Sequence, residues 1–573
     1  MDMRSARPIA QPAAKTRPSH TGERGIAPIV FIIGALFVIL GAAGVAAYVF
    51  LDSTSHPSEE TARYLPANTD IYFSLNLRPG ADQLQYFREI LTRYRDDPEF
   101  QSKIDKFVET GEEKTGIHFI DDVLPWLGPE VAVGFIDVGG MTDDPQGVAF
   151  AGISDQEAAV PVIRRFLDHL EEEEGAEFRE DSYKGFTTFH GANDTEMNLA
   201  ITDSYLVFAT SETLLETTID MMEESVDSLS ERAEFKEAQG SVRGDRFSFM
   251  YVDVESVIQQ LRDNLSDLGA EEALQVIEDR IPKVVGISGS FVDKGLRIDG
   301  YTNTPMGFTS IPASNPLGSA GLVPDDSLAL LSVTGLKEAL EEVLAQLDEG
   351  ALPGFDAQDS LEDFELMYGL GLVDEILGLL EGEVALAFLP SVFSFDIFGQ
   401  PFGAVNALAL FQFQDQETAQ TALDGLVDVL NGIGISFDEV EIEGELVTMA
   451  DLGFFLADSA YAPSFIVLGD YLVLGSTESA LSTAIRVRDG SEASLADEEE
   501  FSRLVKMMPG GKNSVLFLNI RDIRDLALGT QSLLENEEYV EYGAPFIDPM
   551  RALLAGTEMN EEKTRFTMVI TIV

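Results

Sequence analysis

The feature that most constrains this chain is that it repeats itself. "SYLVFATSETLLETTI" (Ser204–Ile219) returns as "DYLVLGSTESALSTAI" (Asp470–Ile485). Other blocks recur in the same order: "LPANTDIYFSL" with "VPDDSLALLSV", "PEVAVGF" with "GEVALAF", "SDQEAAVPVIRRFLDHL" with "QDQETAQTALDGLVDVL", and "SFMYVDVESV" with "SVLFLNIRDI". Blocks that keep their order at a spacing of about 250–270 residues mark a tandem duplication. A chain of 573 residues is also too long for one ordinary core. Two copies of one unit are therefore expected, copy 1 over residues 65–303 and copy 2 over 322–573. A Pro-, Gly- and Ser-rich linker over 304–321 separates them, and a polar stalk over 52–64 precedes the first.

Within a copy the periodicity keeps changing. Ile71, Phe73 and Leu75 alternate as in a half-buried strand, whereas Val162, Phe166, Leu167 and Leu170 fall at helical spacing. Strand meanders broken by helices, without a regular strand–helix–strand beat, predict an α+β unit. The expectation is a mixed, mainly antiparallel sheet with helices packed on one face.

Ahead of the copies, Gly25–Leu51 carries no charged residue and is long enough to span a bilayer core of about 30 Å. Arg4, Arg7, Lys15, Arg17 and Arg24 precede it, so residues 1–25 are expected in the cytoplasm, 26–51 in the membrane and the rest outside. The rival reading is a signal peptide cut near Val45-Ala46-Ala47, but signal cores run about 7–15 apolar residues. Beyond the tail, 32 Lys+Arg stand against 98 Asp+Glu, about −66. Such a surface repels nucleic acid and anionic head groups and favours basic partners or a saline medium. The absence of cysteine removes disulfides, thiolate nucleophiles and Cys-ligated metals.

Duplication also supplies an internal test for chemistry, because a site used twice recurs twice. The polar recurrences are Glu130/Glu383, Ser74/Ser332, Asp155/Asp415 with Glu157/Glu417, and the Ser/Thr-Glu pairs Ser211-Glu212 and Thr477-Glu478. Asp and Ser/Thr at these spacings are expected to cap helices. No nucleophile elbow, Ser-x-x-Lys, Walker A loop or His-Glu-x-x-His occurs. His118, His169 and His190 have no histidine counterparts in copy 2, and the acidic runs at Glu171–Asp181 and Asp497–Glu500 lack calcium-loop spacing. No catalytic, cofactor or metal residue is assigned. The copies differ most where copy 2 gains aromatic loops. Phe393, Phe395, Phe398, Phe402, Phe454 and Phe455 are the candidate contacts for an apolar ligand or partner, against a packing role over the core.

The basic tail, apolar helix and polar stalk lead into "ARYLPANTDIYFSLNLRPGADQLQYFREILTRY". With the repeated Tyr-Leu-Val strand–turn–helix, this combination resembles an uncharacterised bacterial family, domain-of-unknown-function family 3352, over most of residues 60–573. The resemblance implies a bacterial, surface-exposed, membrane-anchored protein and implies no activity. The expected function is a non-catalytic binding or interaction module of the cell envelope, with an envelope protein or lipid as partner. The alternatives are an apolar-ligand binder using the copy 2 aromatics, and a degenerate extracytoplasmic hydrolase or its regulator.

Overall fold

The structure is a computed structural model that describes residues 59–95, 98–137, 146–173, 175–192, 197–224, 227–265, 282–303, 315–346, 378, 380–390, 394–397, 400–403, 406–432, 434–451, 463–529, 547–559 and 563–572. The Gly25–Leu51 stretch lies outside these residues. Among the described residues no helix is long and apolar enough to cross a membrane.

In the first half the strands are β1 (Ile71–Asn76), β2 (Leu127–Asp137), β3 (Gln146–Ile153), β4 (Glu177–Tyr183), β5 (Phe186–Ala192), β6 (Asn198–Ile201), β7 (Tyr205–Ala209), β8 (Ser248–Asp253), β9 (Val284–Val292) and β10 (Gly295–Thr302). Its helices are α1 (Ala81–Arg95), α2 (Pro98–Thr115), α3 (Gln156–Glu173), α4 (Glu212–Glu223), α5 (Ala233–Ser241) and α6 (Val254–Leu265). The second half has β11 (Ala329–Val333), β12 (Val384–Leu389), β13 (Ser394–Ile397), β14 (Gln400–Gly403), β15 (Asn406–Gln412), β16 (Ser436–Ile442), β17 (Glu445–Asp451), β18 (Ser464–Leu468), β19 (Tyr471–Gly475), β20 (Ser514–Leu518), β21 (Met550–Met559) and β22 (Thr564–Ile572). Its helices are α7 (Leu336–Gln346), α8 (Gln416–Gly432), α9 (Glu478–Arg488), α10 (Glu499–Met507) and α11 (Ile520–Gly529).

Twenty strands join in one sheet, and β13–β14 form a separate hairpin. Inward from one edge the order is β4-β5-β6-β7-β3-β2-β1-β8-β9-β10. Inward from the other it is β16-β17-β18-β19-β15-β12-β11-β20-β21-β22. The two runs trace the same path and meet at the antiparallel pair β10–β22. When the registers are followed from Ser248 and Ser514 through both hairpins, Asp299 and Thr567 become corresponding positions. These two residues face each other across the seam, as a local two-fold relation requires. There the Thr567 hydroxyl donates to Asp299 at 2.6 Å, Arg297 grips Asp299 through Nε and Nη2, and Arg297 Nη1 donates to the Met507 carbonyl at 2.6 Å.

The sheet departs from expectation in three ways. Every pairing among the described strands is antiparallel, so the parallel component of a mixed sheet does not occur among them. Helices pack on both faces. On one face, α4 and α5 residues join Tyr72, Phe249 and Tyr251, and α9 and α10 residues join Leu330, Leu410 and Val473. On the other, α3 covers Leu75, Val131 and Leu206, and α8 covers Phe465 and Leu472. Strands that bury both faces read as near-continuous apolar runs, as "YLVFA" does, and this blurs the alternation that suggests a single covered face. Lastly, residues 59–64 and 315–321, expected in stalk and linker, belong to the fold: Thr61, Ala62, Ser319 and Ala320 are buried. Their polar side chains serve a buried carboxylate rather than solvent.

The expected caps form. Asp155 and Asp415 accept from the Ala158 and Thr418 amides, and Ser211 and Thr477 accept from Leu214 and Ala480. The acidic run at 497–500 opens α10, where Glu498 accepts from the Phe501 amide. The outer strands β4 and β16 carry exposed Glu180 and Asp181, and Asp438 and Glu439, charges that discourage further strand addition.

Candidate functional site

Of the polar recurrences, Glu130 and Glu383 are not caps. They stand at the same register position, one beside Val131 opposite Leu75, the other beside Val384 opposite Val333. Only 2% and 1% of their surfaces are exposed. An isolated buried carboxylate is strongly unfavourable, so its oxygens need donors. In each half a short 3-10 turn supplies some of them and neighbouring strands the rest. Glu130 accepts from the Glu60 amide (3.1 Å), the Thr61 amide (3.4 Å), the Thr61 hydroxyl (2.8 Å) and the Tyr72 hydroxyl (3.1 Å). Glu383 accepts from the Ser319 amide (3.2 Å), the Ser319 hydroxyl, the Ser332 hydroxyl (2.6 Å) and the Tyr471 hydroxyl (2.7 Å). Both turns are entered through a residue in the left-handed region, Glu59 at φ 63° and Leu317 at φ 54°, a conformation that costs about 1–2 kcal/mol for a side chain of this size.

The tyrosine comes from different strands, and one glycine accounts for it. A Cβ on Gly318 would overlap the Tyr471 hydroxyl, so that approach needs glycine. The first half has Glu60 at the corresponding place, and its contact comes from Tyr72 on β1 instead. Glu59 adds a second buried carboxylate there, paired with buried Arg246 at 2.8 Å. Burial raises the Glu130 carboxyl to about 7, opposed by its hydrogen bonds to Thr61 and Tyr72 and reinforced by the charge of Glu59. Burial and the Glu130 charge hold the Tyr72 phenol well above the usual range.

Sequence reasoning missed Thr61, Ser319, Glu59 and Arg246. The signal was present, because "ETARYLP" aligns with "GSAGLVP" once the matched block is extended backward.

The histidines do not come together. His118 accepts from the Asp121 amide, buried His190 contacts the Thr188 hydroxyl at 3.0 Å, and the His169 ring lies where a Cβ on Gly116 would fall. Of the aromatic candidates, Phe395 and Phe402 are register partners across β13–β14. Phe393, Phe398, Phe454 and Phe455 lie outside the described residues. Phe465, from the same divergent stretch, is core and packs on Phe437 at 5.8 Å.

An exposed apolar patch lies instead on the sheet itself. Leu331 (41% exposed) faces Leu386 (36%) across β11–β12, with Phe388 (38%) two residues on. The corresponding residues of the first half are Phe73, Val133 and Phe135. There Val133 and Ala149 are buried, with Phe73, Phe135 and Phe208 packed against them. A polar groove of about 380 Å³ beside α3 contains Arg164 and Lys184, but both cations are already paired, with Glu180 and with Asp220 and Glu223.

A family model described as a protein of unknown function (DUF3352) matches residues 32–572. No curated protein matches. Solved structures of TP0453 in crystal forms I, III and IV are similar at 10%, 10% and 11% identity, each with a TM-score of 0.23. They cover 43%, 44% and 44% of this chain and 79%, 81% and 81% of their own, a likeness too slight to bear on the fold.

Proposed function

The chain belongs to this family of proteins of unknown function, and from that premise we propose that it is a membrane-anchored, extracytoplasmic binding module of the cell envelope. In this reading residues 26–51 anchor it, and a tandem duplication gives the ectodomain two non-catalytic copies fused through β10–β22. The palindromic strand order and the paired Glu130 and Glu383 sites support the duplication. Both carboxylates are saturated with donors and enclosed, an arrangement that suits holding a fold rather than meeting a substrate.

The observation that carries the binding role is the open patch of Leu331, Leu386 and Phe388 on a chain of net charge −63. Exposed apolar surface grouped on neighbouring strands marks interaction sites. An apolar ligand is the second reading, favoured by the Phe395/Phe402 hairpin that follows β12 in sequence. Cells expressing the full chain with a C-terminal tag test the anchor: the chain sediments with membranes and the tag is cleaved by external protease. A soluble chain, or a protected tag, sinks the reading. Native mass spectrometry of the detergent-purified chain separates the two ligands, because a lipid adduct lost in Leu386→Ser selects the apolar ligand and a protein partner lost in that variant selects the interaction module.

A further inference from the structure

The chain enters the described fold at Glu59, and the next residues, Glu60–Tyr64, form the turn that Glu130 holds. We propose that this turn is a proton-controlled latch: protonated Glu130 keeps the entry of the chain seated on the sheet, and ionisation of Glu130 loosens it. This goes beyond the binding role and does not depend on the anchor.

The geometry carries the inference through what meets Glu130. A second buried carboxylate, Glu59, lies in the same site, and the Arg246 guanidinium donates to Glu59 through Nε (3.0 Å) and Nη2 (2.8 Å). Among the described residues Glu130 makes no ion pair, and when ionised its buried charge is met by the Glu60 and Thr61 amides and the Thr61 and Tyr72 hydroxyls. Protonation removes this buried charge, and its proton has an acceptor at hand, because Thr61 Oγ1 and the Tyr72 hydroxyl lie 2.9 Å apart and either can reverse. The charged and titratable groups around Glu130 are Glu59, Glu60, Arg63 and Tyr64 from the turn, Tyr72 from β1, Tyr205 from β7, and Arg246 behind Glu59. Among them the nearby carboxylates oppose ionisation, and Arg63 is exposed. The left-handed backbone at Glu59 means that the turn is strained where it is held, so weaker holding favours opening.

The sign follows from linkage. Burial pushes the folded carboxyl up to about 7 from the 4.5 of an ordinary glutamate, so the closed turn binds more protons than the open one. Closure is strongest below the lower value and weakens as pH rises through the upper one. Between pH 5.5 and 7.5 the open population of the turn is expected to rise on the order of ten-fold, then level off.

Hydrogen exchange by mass spectrometry on the full chain in detergent, read at peptides covering 59–66 and corrected for intrinsic rates, tests this. The rise in wild type and a flat profile in Glu130→Gln support the latch. A flat wild-type profile, or the same rise in Glu130→Gln, overturns it. Should Glu130→Gln not fold, Tyr72→Phe decides: with one hydrogen bond to the carboxylate removed, the midpoint moves upward, and an unmoved midpoint overturns the latch.

Discussion

The two carboxylate sites share a register, a donor turn and a left-handed entry residue, yet they differ in the layer behind. The first half puts Glu59 and Arg246 there; the second has Leu317 and Lys512 at the corresponding positions. Leu317 is buried without charge, and burial holds the Lys512 ammonium below the usual lysine range. The carboxylate with its turn is thus the part needed to close the unit, since both halves keep it. The buried ion pair is an addition, confined to the place where the chain enters.

Removing the addition on one side gives the largest expected effect. Arg246→Met leaves Glu59 buried without its guanidinium, and it also removes donors to the Gln239 and Arg243 carbonyls and a guanidinium 4.6 Å from the Phe249 ring. A loss of about 3–5 kcal/mol is expected in urea unfolding followed by circular dichroism. Lys512→Met, its counterpart, stays within about 1 kcal/mol of wild type. The double variant Glu59→Leu/Arg246→Met removes both charges and recovers most of the loss, because a buried pair replaced by apolar groups is often neutral. If the double variant is as unstable as the single one, the pair is not an addition but a requirement of the first half.

The tyrosines give the next step down. Tyr471→Phe leaves Glu383 with one donor fewer among the four described, and Tyr72→Phe does the same to Glu130. Each is expected to cost about 1–3 kcal/mol by the same unfolding measurement, the value for a buried acceptor that loses a charge-assisted bond. Tyr205→Phe, at the position corresponding to Tyr471 but making no described hydrogen bond to Glu130, should cost less than Tyr471→Phe. Equal costs would mean that the swap of tyrosines between strands is incidental.

How far the sequence reached follows from these residues. The α+β class, the strands around Ile71 and Tyr205, and the caps at Asp155, Ser211, Asp415 and Thr477 were legible, because each rests on local spacing that the fold then used. The joining of the halves through β10–β22 was not, since nothing in "GLRIDGYT" or "TRFTMVITI" distinguishes an edge from a seam until Asp299 meets Thr567. Glu130 and Glu383 were visible as recurrences, but their chemistry depended on turns about seventy residues away in chain order. Those turns have the polar composition of linkers. Composition alone cannot separate a polar residue facing water from one facing a buried carboxylate.

The smallest expected effects concern the open patch. Val133 is 2% exposed and Leu386, its counterpart, 36%. Val133→Ala removes buried methyl groups from beneath Phe73, Phe135 and Phe208 and should cost about 1–2 kcal/mol. Leu386→Ala should cost under about 1 kcal/mol, and Leu331→Ser about 0.5 kcal/mol or less, in the same unfolding experiment. These small costs matter because an apolar side chain kept on the surface without stabilising the fold must have its consequence elsewhere. If Leu331→Ser instead unfolds the chain as readily as Val133→Ala, the patch is covered in solution by the protein's own residues, and the proposed binding surface is lost with it.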